Sequence, residues 1–258
     1  MNIVCAADSN YVQHCSVMLV SFFENNPGHD HTVYLLTEGL DADDLGFIQN
    51  LVHSYHGQFF YYLIDSKLLE TCPIKVTDHL SIATYNRLFM AMLLPDHVDK
   101  VLYLDCDIII NQAIDELWET SLGNGYVVAA FEEMGCCLDD VYERLGFDAK
   151  YGYFNAGVLL VDLAYWRTHN MTQSFLEYIE HNFDKLKSHD QDVLNVFFHD
   201  KAVHIPLTWN VEFIFYFYSR IKSFNFNKEL RYVLRHPKIL HFTWKPKPWE
   251  PSCKHPFR

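Results

Sequence analysis

The chain has 258 residues, of which 50% are hydrophobic, and carries a formal net charge of -13. This length allows a substantial core in one large α/β domain or two small ones, and no break in composition favours two. The negative charge excludes nucleic-acid binding through a broad basic surface, because a phosphate backbone would be repelled.

Strands and helices are predicted to alternate along the first half of the chain. Apolar runs predict strands over residues 3–7, 32–36 and 59–64. Helical spacing of apolar residues predicts helices over 12–25 and 41–53, the second with Asp41 as its N-cap. A further helix is predicted from Thr84 to about Leu94, where Pro95 ends it. The apolar run 101–104 is typical of a central strand that is covered on both faces.

The second half of the chain continues the alternation as far as Trp209. Strands are predicted over residues 127–131 and 157–161, and helices over 171–183 and 190–198. After Trp209 the pattern becomes aromatic and irregular. Strands that alternate with helices imply a mostly parallel sheet, whose ligands bind outside the carboxyl ends of the strands. Residues that directly follow strands are therefore the candidates for a functional site.

Two acidic residues, Asp105 and Asp107, follow directly on the predicted central strand and flank Cys106. Residues i and i+2 of an extended segment point to the same side, so the two carboxylates can meet at one point. They repel each other unless a cation or a proton lies between them. The same tripeptide pattern occurs at 41–43 and 190–192, so a capping or salt-bridged structural pair is the alternative. The apolar runs on either side favour a metal site, because unpaired carboxylates cost several kcal/mol when buried.

The end of the chain offers partners for this acidic pair. The apolar pair 239–240 predicts a closing strand, and His241 follows it, where its imidazole could be a third metal ligand. A lone histidine in this position could instead be structural. Lys247 lies between two prolines, and its restricted reach suits a point-charge contact to a phosphate. The alternative is a solvated lysine in a surface tail.

Six stretches of the chain resemble, in order, motifs of the family 8 retaining glycosyltransferases, especially the bacterial lipopolysaccharide galactosyl- and glucosyltransferases. They are residues 6–11, 81–88, 100–107, 153–160, 190–195 and 241–249. The resemblance implies an α/β fold of the GT-A type, with a Rossmann-like, mixed and mostly parallel sheet flanked by helices. It implies a single domain over residues 1–258, in which residues 239–258 close over the diphosphate of the donor.

The resemblance also implies an activity and a set of site residues. The activity is transfer of glucose or galactose from a UDP-hexose donor to a glycan, glycolipid or glycoprotein acceptor such as lipopolysaccharide, with an α-linkage. Asp105, Asp107 and His241 resemble the triad that binds manganese, with magnesium as the alternative. The other residues that the resemblance assigns to the donor are Ala6, Asp8, Asn10, Arg87, Cys106, Glu132, Asn155, Ala156 and Lys247.

Asp190 and Gln191 resemble the pair beneath the donor sugar, with Asp190 on a hydroxyl and Gln191 facing the anomeric carbon. Asp190 could instead be only the N-cap of the helix that follows, or could take both roles. A neutral amide is a poor base and a poor nucleophile. Gln191 in this position therefore predicts that the acceptor attacks the anomeric carbon from the same face as the leaving group. Asp190 and Gln191 are therefore the expected catalytic residues of a retaining reaction.

The seven cysteines are an odd number without a CxxC pair, which indicates a reducing cytoplasm. No apolar run approaches the roughly 20 residues that span a bilayer, so we expect a cytoplasmic protein with at most peripheral association at the inner face of the membrane. Two alternative functions remain open at this point. They are a catalytically inactive sugar-nucleotide-binding protein and a metal-dependent sugar-nucleotide hydrolase.

Overall fold

The computed structural model of the protein describes residues 1–28, 30–70, 72, 82–123, 126–130, 140–218, 228–243 and 245–257. The strands are β1 Asn2–Ala6, β2 Thr32–Thr37, β3 Gln58–Leu63, β4 Lys100–Leu104, β5 Ile108–Ile110, β6 Val127–Ala130, β7 Val158–Asp162, β8 Ala202–Ile205, β9 Val211–Glu212 and β10 Ile239–His241.

The α-helices are α1 Val12–Asn25, α2 Ala42–Ser54, α3 Ser66–Leu69, α4 Met90–Leu93, α5 Asp115–Trp118, α6 Val141–Leu145, α7 Leu163–Thr168, α8 Met171–Asn182, α9 His189–Phe198, α10 Phe213–Tyr218 and α11 Lys228–Arg235. Short 3₁₀ segments lie at Ile82–Phe89, Ala149–Tyr151, Phe183–Lys185 and Leu207–Trp209. In the part of the chain described above, no helix is both long and apolar enough to cross a bilayer.

Seven strands form one mixed sheet in the order β3-β2-β1-β4-β7-β6-β8. The first four are parallel to one another, β7 is antiparallel to both of its neighbours, and β8 is parallel to β6. The predicted α/β fold with a mixed, mostly parallel sheet is confirmed. The reversed strand β7 matters for the position of the site, because it begins where β4 ends, at the edge of the sheet formed by the carboxyl ends of the parallel strands.

Apolar side chains cover both faces of the sheet, and the central strands contribute to both layers. On β4, Val101 and Tyr103 pack into one core cluster, and Leu102 and Leu104 pack into the other. Successive residues of a strand point to opposite faces, so a continuous apolar run can be buried on both sides. Burial of β4 on both faces is what the apolar run before Asp105 predicted.

A second, three-stranded sheet has the order β5-β10-β9, and the sequence pattern did not predict it. Strand β10 runs antiparallel to β5, with His241 opposite Ile108, and parallel to β9, with His241 opposite Glu212. Since β5 starts directly after Asp107, this pairing carries the end of the chain onto the acidic segment.

The sequence predicted two stretches of secondary structure incompletely. The helix expected from Thr84 starts as a 3₁₀ segment at Ile82–Phe89 and becomes α-helical only in α4. Residues 85–89 are all buried, so contacts on every side replace the one-sided packing of an amphipathic helix. After Trp209, where the irregular pattern allowed no prediction before the closing strand, the structure has β9, α10 and α11. The uniformly apolar α10 has no helical periodicity that the sequence could reveal.

Candidate active site

The candidate site lies where β1 and β4 end and β7 begins. The backbone N–H of Asp105 donates to the carbonyl of Gly157 at 2.9 Å, which continues the β4–β7 pairing beyond the sheet. The segment 105–107 therefore runs beside the segment 155–157. Asp8 and Asn10 follow β1, the other neighbour of β4, so all these residues share one edge. This edge is the one that an α/β sheet offers to ligands.

His241 joins the two aspartates, as the sequence predicted. Its Nε2 lies 3.2 Å from Oδ1 of Asp107 and 3.5 Å from Oδ2 of Asp105. The N–H of Phe242 donates to the carbonyl of Asp107 at 3.0 Å, so backbone pairing places the imidazole. The three possible ligand atoms lie within 4.8 Å of one another.

The donor set fits a divalent metal ion. Two carboxylates and one imidazole could hold such an ion, and an imidazole ligand would favour a transition ion over calcium or magnesium. Gly157 makes room for this arrangement. A Cβ at this position would lie 2.1 Å from Cε1 of His241 and 2.7 Å from Oδ2 of Asp105. The ligands therefore pack directly on backbone that has no side chain.

Two buried cations, Arg87 and Lys247, contact the two aspartates. Arg87 forms ion pairs with Asp105 at 2.9 Å and with Asp190 at 2.8 Å, and Lys247 pairs with Asp107 at 2.5 Å. The hydroxyl of Tyr103 also donates to Asp105 at 3.0 Å. Arg87 and Lys247 are only 6% and 7% exposed, so each needs its carboxylate as a counter-charge.

Burial and charge act in opposite directions on the pKa of each ligand. Burial would raise the pKa of Asp107, but the charges of His241 and Lys247 outweigh it and hold that pKa well below its usual range. Arg87 and then His241 likewise outweigh burial and lower the pKa of Asp105. Burial would lower the pKa of His241, but Asp107 and the hydrogen bonds to both aspartates raise it to about 9. Without metal, the imidazole is therefore protonated at neutral pH.

We expect manganese affinity to rise with pH between 7 and 9, by up to about tenfold per pH unit, because the metal displaces the proton of His241. The stability of the metal-free protein should instead fall as the pH rises. A raised folded-state pKa contributes stability fully below the unfolded-state pKa of 6.5, and this stability is lost as pH rises through about 9. Calorimetric titration of Mn²⁺ in buffers of different ionisation enthalpy counts the released protons. Affinity that is constant from pH 7 to 9 would contradict the assignment.

The first turn of α9 is joined to the segment 155–157. Oε1 of Gln191 accepts from Nδ2 of Asn155 at 3.1 Å and from the N–H of Ala156 at 3.0 Å. Arg87 donates to the carbonyl of Ala156 and pairs with Asp190. The structure thus brings the two predicted catalytic residues and the predicted sugar-lining residues into one hydrogen-bonded unit.

Asp190 does not cap α9. Its Oδ1 accepts from the hydroxyl of Thr84 at 2.6 Å, and its other oxygen faces Arg87. Asp192, in the same helix, turns back to the preceding loop, where its Oδ2 accepts from the N–H groups of Lys187 and Ser188 at 2.7 and 3.0 Å. Burial raises the pKa of Asp190, and Arg87 only partly opposes the shift.

The remaining predicted residues fall into two groups. Ala6, Cys106, Asp8 and Asn10 lie at the same edge, where Sγ of Cys106 contacts the carbonyl of Ala6 at 3.1 Å and Asp8 accepts from the N–H of Asn10 at 2.9 Å. Glu132 lies outside the described residues.

Sequence reasoning missed Asn210, which is 1% exposed and contacts both His241 and Asn155. An asparagine directly before a buried strand is only a weak indication of a functional residue. Asn210 also lies in the region after Trp209, where the sequence pattern is irregular. Its two partners are far away in the sequence, so nothing local to Asn210 indicates them.

Comparisons with known proteins agree with this fold. The sequence profile of the family described as Glycosyl transferase family 8 matches residues 2–253. The general stress protein A of Bacillus subtilis is 27% identical over 265 residues, covering 100% of this chain and 90% of that protein. The lipopolysaccharide 1,3-galactosyltransferase of Salmonella typhimurium is 28% identical, covering 96% of this chain and 72% of that protein. A solved structure of the galactosyltransferase LgtC with donor and acceptor sugar analogs superposes with a TM-score of 0.86 at 26% identity, covering 99% of this chain and 91% of that one.

Proposed function

The chain belongs to glycosyl transferase family 8, and from this premise we propose that it transfers glucose or galactose from a UDP-sugar with retention of configuration. The proposed acceptor is a glycan or glycoconjugate such as lipopolysaccharide. The observation that carries the proposal is the convergence of Asp105, Asp107 and His241 at the edge where Gln191 also lies. Two of the similar proteins are galactosyltransferases by name, which supports a hexose donor.

The proposed cofactor is manganese, held by Asp105, Asp107 and His241. When bound, a divalent ion supplies Lewis-acid stabilisation of the charge that develops on a departing diphosphate. Arg87 lies between Asp105 and Asp190 and is suited to reach both diphosphate and sugar. Lys247 contacts Asp107 and, in this proposal, moves to a phosphate oxygen as residues 239–258 close over the donor.

The remaining donor contacts follow from position along the edge. Asp8 and Asn10 are assigned to the uracil and ribose, together with the neighbouring Ala6 and Cys106. Asn155 and Ala156 are assigned to the sugar, where Glu132 would add an acidic contact. Asp190 would accept a hydrogen bond from a sugar hydroxyl. Buried polar groups of a nucleotide sugar need such matched partners, since each unpaired group costs about 1–3 kcal/mol.

Retention is supported by the chemistry of the residues near the sugar. Gln191 is neutral, and its carbonyl oxygen already accepts two hydrogen bonds, which makes it a poor nucleophile. The oxygens of Asp190 contact Thr84 and Arg87, so in this proposal Asp190 serves as the partner of Arg87 and of a sugar hydroxyl, and not as the base that deprotonates the acceptor. As the bond from the anomeric carbon to the diphosphate breaks, the acceptor hydroxyl attacks the same face, and its proton passes to the departing diphosphate oxygen.

The two alternative functions are less well supported. A hydrolase needs a positioned base that activates water, and the carboxylates of Asp105, Asp107 and Asp190 are each paired with a buried cation. An inactive binding protein would not need the ligand triad and Gln191 to stay assembled at one edge. Slow hydrolysis of the donor in the absence of acceptor is expected as a side reaction.

A donor panel tests the proposal. With Mn²⁺, UDP-glucose or UDP-galactose should give at least about tenfold faster nucleotide release than GDP- or CMP-sugars, because the contacts of Asp8 and Asn10 are matched to uracil. EDTA should remove the activity, and proton NMR of the fresh product should show a small anomeric coupling constant. A GDP- or CMP-sugar as the best donor refutes the donor assignment. A large coupling constant refutes retention.

A further inference from the structure

A chain of side-chain hydrogen bonds runs from the metal ligand His241 to Gln191 through two buried asparagines. Nδ1 of His241 contacts Oδ1 of Asn210 at 2.9 Å, and Nδ2 of Asn210 donates to Oδ1 of Asn155 at 2.9 Å. Nδ2 of Asn155 then donates to Oε1 of Gln191 at 3.1 Å. We propose that Asn210 is a positioning residue, which sets the orientation of His241 toward the metal and, through Asn155, that of Gln191 toward the sugar.

Two backbone N–H groups determine the direction of every bond in this chain. The N–H of Gly157 donates to Oδ1 of Asn155 at 2.9 Å, and the N–H of Ala156 donates to Oε1 of Gln191 at 3.0 Å. A backbone N–H can only donate, so each side-chain amide must turn its oxygen toward it. The NH₂ group of Asn155 must then face Gln191.

The same constraint continues to the metal ligand. Because Oδ1 of Asn155 is an acceptor, Asn210 must present its NH₂ group to it and its own oxygen to His241. The proton of His241 is therefore held on Nδ1. Its Nε2 faces the two aspartates, and only this tautomer gives a lone pair to a metal at that point.

Burial makes the chain a strong constraint. Asn210, His241 and Asn155 are 1%, 3% and 7% exposed, so water does not readily replace a broken bond. A cation on Nε2 makes the Nδ1 proton a stronger donor, and hydrogen bonds in series polarise one another. Occupation of the metal site and the orientation of Gln191 should therefore be coupled through Asn210.

Asn26 provides a matched control for the loss of a buried amide. It is 2% exposed, donates to the carbonyl of Phe22 at 2.7 Å and accepts from the N–H of Ile114 at 2.8 Å. Asn26→Ala should lower the melting temperature without changing the affinity for manganese.

The inference rests on the proposed function, and its test uses Mn²⁺ alone as well as transfer. By calorimetry, Asn210→Ala should bind Mn²⁺ about 10- to 100-fold more weakly, the range typical of losing a group that orients a metal ligand. Its kcat at saturating Mn²⁺ should also fall at least about tenfold. Asn210→Asp separates the two effects, because a carboxylate still accepts from Nδ1 but cannot donate to Asn155. It should bind Mn²⁺ within about threefold of the wild type and retain the low kcat.

Three results would overturn the inference. One is wild-type Mn²⁺ affinity in folded Asn210→Ala, and another is full kcat in Asn210→Asp. The third is that Asn26→Ala changes Mn²⁺ affinity and kcat as much as Asn210→Ala does. In each case the proposed function survives if the wild type binds Mn²⁺ and transfers hexose. A wild type that binds no divalent ion refutes the metal site and the inference together.

Discussion

Asp107→Asn is expected to abolish manganese-dependent transfer while the protein stays folded. The substitution keeps the size of the side chain but removes a charged ligand and the counter-charge of Lys247, which lies 2.5 Å away. Loss of one charged ligand should raise the barrier by about 4 kcal/mol, which is a loss of roughly a thousandfold in rate at about 1.36 kcal/mol per factor of ten. Donor turnover with Mn²⁺, together with calorimetric metal binding and circular dichroism, measures the effect.

Lys247→Ala is the matched control for this prediction. It removes the cation that pairs with the carboxylate of Asp107 but keeps all three proposed metal ligands, so Mn²⁺ binding should remain. Its KM for the donor should rise if residues 239–258 close over the diphosphate as proposed. Full activity of folded Asp107→Asn, or of the wild type in EDTA, is incompatible with the metal site. An unchanged KM in Lys247→Ala would leave the metal site intact but argue against closure.

Gly157→Ala is expected to weaken Mn²⁺ binding by at least about tenfold, because one added carbon displaces two ligands. The new Cβ would lie 2.1 Å from the ring of His241 and 2.7 Å from Asp105, and the β4–β7 pairing resists retreat of the backbone. Overpacking of this kind costs about 1–3 kcal/mol in stability. Calorimetry with Mn²⁺ and thermal unfolding without metal measure the two effects separately.

Gly46→Ala is the control for replacing a glycine by alanine. Gly46 lies within α2, and apart from the backbone of that helix a Cβ there meets no heavy atom within 4 Å. The change should leave Mn²⁺ affinity unaltered and stabilise the helix by up to about 1 kcal/mol. If Gly157→Ala matches this control in both measurements, the ligands do not depend on close approach of the 157 backbone.

The proposed metal ligands show how much the local sequence can predict. Asp105 and Asp107 stood out because both the run before them and the run after them are apolar, and the structure places them at the end of the buried strand β4. The tripeptides at 41–43 and 190–192 have the same spacing but other roles. Asp41 caps α2 by accepting from Asp44 at 2.8 Å, and Asp192 holds the start of α9. Context, and not spacing, distinguished the three.

Asp190 shows why the alternative that local sequence offered, a helix cap, does not apply. A carboxylate at the start of a helix favours capping, but the side chain of Asp190 turns to Thr84 and Arg87, more than a hundred residues earlier in the chain. The competing partner was a buried guanidinium, whose need for a counter-charge exceeds the contribution of a helix cap.

The sequence by itself determined the alternation of strands and helices, the acidic pair after the central strand and the family resemblance. Each of these depends on hydrophobic periodicity or on residues that are close together in the chain. Only the tertiary structure decided the antiparallel pairing of β10 with β5, the close approach of Gly157 to the ligands and the chain from His241 through Asn210 to Gln191. These contacts join residues that are distant in sequence, and their strength comes from burial and backbone register, which exist only once the chain has folded.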